Sequence, residues 1–126
     1  MRLFADSVFV IDYLQGIPEA RRRWEAVFAE GDEPVVNEIV VCEVRAGLYP
    51  HEEVYLDAFL EPVEFVQPGP EHAMIAGRWR AEAHARGRHL SLPDALIAAA
   101  AAANDAAVLT RNVRDFALTS VRVETY

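Results

Sequence analysis

Apolar residues in this chain fall in short blocks that switch between strand-like runs and helix-like spacing. Leu3-Phe4-Ala5, within a strand from Arg2 to Asp6, is contiguous, as expected of a strand buried on both faces. Ser7 stands where it can cap a helix carrying Val8, Ile11 and Leu14, which Gly16 ends. Pro18 opens a second helix through Glu30, with Trp24, Val27 and Phe28 on its apolar side. Gly31-Asp32 is a turn, Pro34-Val35-Val36 a second strand, and Asn37 the cap of a third helix running to about Leu48. Pro50 stops it, and His51 to Leu60 makes a short fourth.

Pro62 to Val66 is a weaker strand, and Pro70 opens a long helix that Gly87 closes. Ser91-Leu92-Pro93-Asp94 is a helix start: a cap, a proline in the first turn, and an acid three residues on. The following stretch, Ala95 to Ala103, is small and apolar almost all round, which predicts a buried central helix. Ala107 to Thr110 is a strand, Asn112 to Phe116 a short turn or helix, and Val121 to Glu124 a last strand. Strands alternating with helices predict an α/β domain over residues 1–126, with a mainly parallel sheet between two helical layers.

Composition narrows the chemistry. With 52% hydrophobic and 25% charged residues, the chain reads as globular rather than disordered. A net charge of -8 forces no broad basic face, so nucleic acid would have to be held by local Arg clusters or by metal ions. All twelve basic residues are Arg. The absence of Lys excludes a P-loop nucleotidase and any Schiff-base enzyme. Cys42 is the only cysteine, so neither an intrachain disulfide nor a cysteine zinc site can form; its apolar neighbours predict a small buried side chain. The four histidines, His51, His72, His84 and His89, have no ligand spacing. Asp6 and Asp12 interrupt the first apolar segment, which is unlike a signal peptide, and no apolar run reaches ~18 residues, so a cytoplasmic protein is expected.

Four carboxylates stand out by placement. Asp6 ends the first strand, Glu43 lies within the third helix, Asp94 is in the first turn of the Ala-rich helix, and Asp115 follows the Val108-Leu109 strand. Acids beside hydrophobic segments are costly unless they cap or bind something. Asp94 can complete a capping box with Ser91, and Asp115 one with Asn112. Asp6 is harder to explain that way, because Ser7 can cap by itself. Glu43 taken alone is a solvated helical residue. In an open parallel sheet, though, ligands bind beyond the carboxyl ends of the strands, where Asp6, Asp94 and Asp115 can meet, with Glu43 reaching in from the side. Acids so gathered repel unless a cation neutralises them. Hard oxygen donors without His or Cys suit Mg²⁺ or Mn²⁺, which can acidify a water and act as a Lewis acid on a phosphodiester. The reaction class is metal-assisted phosphodiester hydrolysis.

The chain resembles the PIN-domain ribonucleases, and within them the VapC-type toxins of bacterial toxin–antitoxin pairs. The resemblance rests on Phe4-Ala5-Asp6-Ser7-Val8-Phe9-Val10-Ile11-Asp12, Cys42-Glu43-Val44-Arg45-Ala46-Gly47, Pro93-Asp94-Ala95-Leu96-Ile97-Ala98-Ala99 and Thr110-Arg111-Asn112-Val113-Arg114-Asp115-Phe116, in that order over nearly the whole length. It places the family's acidic site on Asp6, Glu43, Asp94 and Asp115. Where the family usually has Leu-Asp-Thr this chain has Ala5-Asp6-Ser7, which keeps a hydroxyl. Ser7, Asp12, Thr110 and Asn112 become candidate supports of the acids. The resemblance implies an Mg²⁺- or Mn²⁺-dependent endoribonuclease, a small VapB-like antitoxin encoded beside it, and a homodimer. An antitoxin Arg entering the acidic pocket would pair bidentately with the carboxylates and displace the metal. Candidate RNA contacts are Arg45, Arg86, Arg88, Arg111 and Arg114, whereas Arg21-Arg22-Arg23 reads as an exposed helix face.

Rival readings separate on specific residues. A receiver domain needs a Lys, and a haloacid-dehalogenase-type phosphatase an Asp-x-Asp at the first strand, where this chain has Asp6-Ser7-Val8. A non-catalytic PIN-like module that only binds a partner, and a nuclease acting on DNA, share the same residues and stay open.

Overall fold

Leu3, Phe4 and Ala5 are buried on both faces of the first strand, β1 (Arg2–Ala5), and so is the whole of Ala106–Leu109, which forms its neighbour. In the computed structural model, which describes residues 1–126, these two strands form the middle of a five-stranded sheet. The others are β2 (Glu33–Val36), β3 (Glu64–Phe65) and β5 (Val123–Glu124), with Ala106–Leu109 as β4. The spatial order is β3-β2-β1-β4-β5, and every pairing is parallel. Pro34 is tolerated inside β2 because β3 pairs with it only from Val35 onward.

Helices fill the crossovers: α1 (Ser7–Leu14), α2 (Pro18–Ala29), α3 (Glu38–Ala46), α4 (Glu53–Leu60, entered through a 3₁₀ turn at Pro50–Glu52), α5 (Pro70–Ala85), α6 (Leu92–Ala103) and α7 (Val113–Phe116). The first two crossovers step away from β1 in one direction, and the last two run the other way. Right-handed connections therefore put α1 to α4 on one face and α5 to α7 on the other, giving three α/β/α layers. None of these helices is long and apolar enough to cross a membrane.

The expected elements are all present, with β3 and β5 shorter than the sequence predicts. In α6, Ala95 and every residue from Ile97 to Ala101 are buried, because methyl side chains let neighbouring elements approach on all sides. Against the α1–α2–α4 face, Trp24 stacks on Phe59 with centroids 4.4 Å apart and meets Tyr13 and Phe28 edge-on. One expectation fails: Cys42 is exposed. In α3 the buried residues are Val40 and Val44, one helical turn apart, so Cys42 lies on the outer side despite its apolar neighbours.

Candidate active site

The direction of chain crossover reverses between β1 and β4, and this opens a crevice at their carboxyl ends. Asp6 is the first residue beyond β1 and Thr110 the first beyond β4; Ala5 and Leu109 are in register, and the Asp6 N–H donates to the Leu109 carbonyl at 3.1 Å. Asp6 is 2% exposed. One carboxylate oxygen accepts the Ser7 N–H at 2.8 Å and the other the Thr110 hydroxyl at 2.7 Å. Asp6 itself, not Ser7, is therefore the cap of α1. Ser7 has another task, for its hydroxyl donates to Glu43 Oε1 at 2.6 Å. That bond draws the acid of α3 toward the crevice, a link that spacing alone does not reveal.

Thr110 Oγ1 also accepts the Asn112 N–H at 2.9 Å, which shapes the turn after β4. The Asn112 amide then donates to Asp115 Oδ2 at 3.0 Å. Asn112 makes no side-chain cap on α7; its amide is spent on the Asp115 carboxylate instead. Asp94 sits in the first turn of α6, with its N–H on the Ser91 hydroxyl at 3.2 Å. The cap does not isolate Asp94 from the other acids, for Asp115 and Glu43 both act on its carboxyl.

The acids share one electrostatic field. Burial pushes the Asp6 carboxyl up to about 6, the Thr110 hydroxyl and Ser7 N–H oppose this, and Asp94 and Glu43 add to it. Asp94 is raised above its ordinary value, first by burial and then by Asp115 and Glu43, against the Ser91 hydroxyl. The anions of Asp6 and Asp94 are thus destabilised by burial and by neighbouring acids. No group of three or more His, Cys, Asp or Glu side chains is arranged so that it could hold a metal ion. Mg²⁺ does not demand one, since it keeps several waters and takes one or two carboxylates directly. An all-oxygen donor set with uncompensated negative charge fits such an ion, and its arrival would relieve the repulsion.

A PIN-domain family model matches residues 3–121. The chain belongs to the PIN-domain family. It is 33% identical over 111 residues to Ribonuclease VapC19 of Mycobacterium tuberculosis, covering 88% of this chain and 89% of that protein. Among solved structures, VapBC2 from Rickettsia felis bound to a promoter DNA fragment superposes with a TM-score of 0.88 at 20% identity, covering 100% of this chain and 99% of that one. A toxin–antitoxin complex from Klebsiella pneumoniae has a TM-score of 0.75 at 29% identity, covering 93% of this chain and 91% of that one.

Within this PIN domain, two of the residues expected near the site bind each other. Asp12, buried in α1, accepts the Arg111 Nε at 2.7 Å, and the Tyr126 hydroxyl at the same distance. Asp12 is therefore part of a strut between α1 and the β4–α7 turn rather than a direct support of the acids, and Arg111 is engaged by it. The Tyr126 ring also meets Phe9 edge-on at 5.0 Å. Nothing local marks Tyr126, which lies 114 residues from Asp12. Arg45 pairs with Glu53 at 2.6 Å and bonds the Leu48 carbonyl, fixing the end of α3 instead of facing solvent freely. Arg114, exposed on α7 beside Asp115, has no ion pair.

Proposed function

We propose that this PIN domain is a metal-dependent endoribonuclease, the toxin of a VapBC-type pair, which hydrolyses RNA phosphodiester bonds with Asp6, Glu43, Asp94 and Asp115 holding Mg²⁺ or Mn²⁺. The observation that carries the reading is Asp6: a carboxylate 2% exposed at the switch point, fastened by Ser7 and Thr110, and made costlier by Asp94 and Glu43. A structure that fastens an anion so firmly against its own electrostatics points to a cation that belongs there. When bound, the ion would supply an acidified water and would neutralise charge on the phosphate. The protein's part is positional. Thr110 and Ser7 fix the Asp6 oxygens, Ser7 sets Glu43, Asn112 sets Asp115, and each bond leaves further lone pairs for ligation.

The partner reading draws on the named relatives and on one surface feature. A groove of about 390 Å³ between α1, α2 and α4 is lined by Tyr13, Leu14, Trp24, Tyr55 and Phe59, with Arg21 over the Tyr13 ring. An antitoxin segment lying there would have α1, whose first turn holds the site, along one wall. A homodimer is proposed on the resemblance alone.

The deciding experiment is cleavage of RNA and DNA substrates by the wild type, Asp6→Asn and Asp94→Asn, with Mn²⁺, with Mg²⁺ and with EDTA. RNA cleavage that requires the metal and disappears in both variants is expected. Undiminished activity in the variants would refute the shared site. A folded, antitoxin-free wild type that cleaves nothing would make this a partner-binding module, and preference for DNA would reassign the substrate.

A further inference from the structure

The strongest concentration of positive charge in this acidic chain lies between Arg78 and Leu90, where Arg78, Arg80, Arg86 and Arg88, with His84 and His89, face the single acid Glu82. The side-chain ion pairs of the molecule engage Arg2, Arg22, Arg45, Arg111 and Arg122. None of the four arginines of this stretch has a carboxylate partner, although the chain carries 20 acids.

Two of the four, Arg80 and Arg88, share one pocket with two histidines. Arg80, His84, Arg88 and His89 line a surface pocket of about 290 Å³ at the end of α5. Its wall is fixed, because Arg80 Nε donates to the Leu90 carbonyl at 3.0 Å and Leu90 is buried against Ala76, Ala83, Ala95 and Ala99. Gly87, at φ 69°, turns the chain so that the N–H groups of Gly87 and Arg88 close back on α5. The loop is therefore held to both helices, and Arg88 and His89 are presented from a fixed backbone. Asp94 is four positions after Leu90, a span of at most ~14 Å.

We propose that this pocket binds the phosphodiester backbone of a single-stranded RNA and holds the strand beside the carboxylate site. The inference rests on the nuclease reading above for its substrate and extends it to a separate, metal-independent anchor. Arginine suits the role because its planar fork meets two phosphate oxygens at once, and the histidines add N–H donors. It also answers how a chain of net charge -8 engages a polyanion: the attraction is local.

The test measures fluorescence anisotropy of a short labelled single-stranded RNA against salt concentration, in an Asp94→Asn background so that cleavage does not accompany binding. Arg88→Gln, in the pocket, and Arg86→Gln, just before it in the chain, are exposed changes that remove no ion pair. For a phosphate no longer held by Arg88, the slope of log affinity against log salt should become shallower by about 0.7 in Arg88→Gln, and by at least as much in the double variant. Arg22→Gln, on an exposed face of α2, should leave the slope unchanged. With Asp94 restored, the double variant should raise KM for RNA cleavage and leave kcat near that of the wild type. An unchanged slope in the double variant, or an equal change in Arg22→Gln, overturns the anchor while leaving the nuclease reading intact. Altered slopes with a wild type that cleaves no RNA would uphold the anchor and refute the nuclease reading.

Discussion

Replacing Asp6 with Asn should make the metal-free protein more stable at pH 8 while abolishing cleavage. The carboxyl titrates at about 6 in the folded chain against 3.8 ordinarily. Because the folded value is raised, the stability associated with Asp6 is fully present below about pH 3.8, where it is protonated in both states. It is lost as pH rises through about 6. The gap corresponds to about 3 kcal/mol at pH 8, and integration over the same two values gives about half of that at pH 5. Asn carries no charge, can still accept the Ser7 N–H, and can turn its amide toward the Thr110 hydroxyl, so most of this cost should be recovered. For a domain of this size that is about 10 °C in Tm. Urea unfolding in EDTA at both pH values provides the measurement. Chelation matters, because a cation bound only to the folded wild type would add its own stabilisation and hide the difference. A variant no more stable than wild type at pH 8, or a gap that does not shrink at pH 5, would refute the account of Asp6 as an anion held against its own electrostatics.

Two further outcomes follow from the packing and from the strut. Asp12 is lowered, with the Arg111 and Tyr126 hydrogen bonds outweighing burial, so its contribution is present above the unfolded value and disappears as pH falls through the folded one. Asp12→Asn should therefore cost about 1–3 kcal/mol at pH 7 and progressively less as pH falls below 3.8, read by thermal melting; a loss that does not shrink on acidification would remove the ionic part of the strut. Ala98→Leu inserts three carbons into a fully buried position of α6 and should cost about 1–3 kcal/mol in urea, and a neutral result would mean that the core there holds unfilled space.

Much of the fold is legible because local signals agree with each other. Contiguous apolar triplets mark β1 and β4, Pro18 and Pro70 begin α2 and α5, and Asn37 and Ser91 cap α3 and α6 as their types suggest. The acids are legible as acids in improbable places, and the sheet order brings the ends of β1 and β4 together. Partner choice among the polar residues is what sequence leaves open. Ser7 satisfies the local rule for a cap, yet Asp6 takes that role because Ser7 finds Glu43, 36 residues away. Asp12 looks like a neighbour of Asp6 in sequence, but one and a half turns of helix separate them and a tail residue claims it. The composition around Cys42 points inward, whereas helical phase decides and turns it outward. The partner choices are tertiary matters, and periodicity carries no trace of them.

The sheet ends on both sides in a strand of two residues, Glu64–Phe65 and Val123–Glu124. Edges so short, each bearing a Glu, expose too few main-chain donors and acceptors to template an incoming strand. β-augmentation, the mode by which many extended peptides attach to a sheet, is thereby disfavoured. An antitoxin or a second copy of the chain would instead have to recognise the shape and charge of helix faces. Specificity between partners can then drift by substitution on α1, α2 or α4 without disturbing the hydrogen-bonded frame that holds the acids.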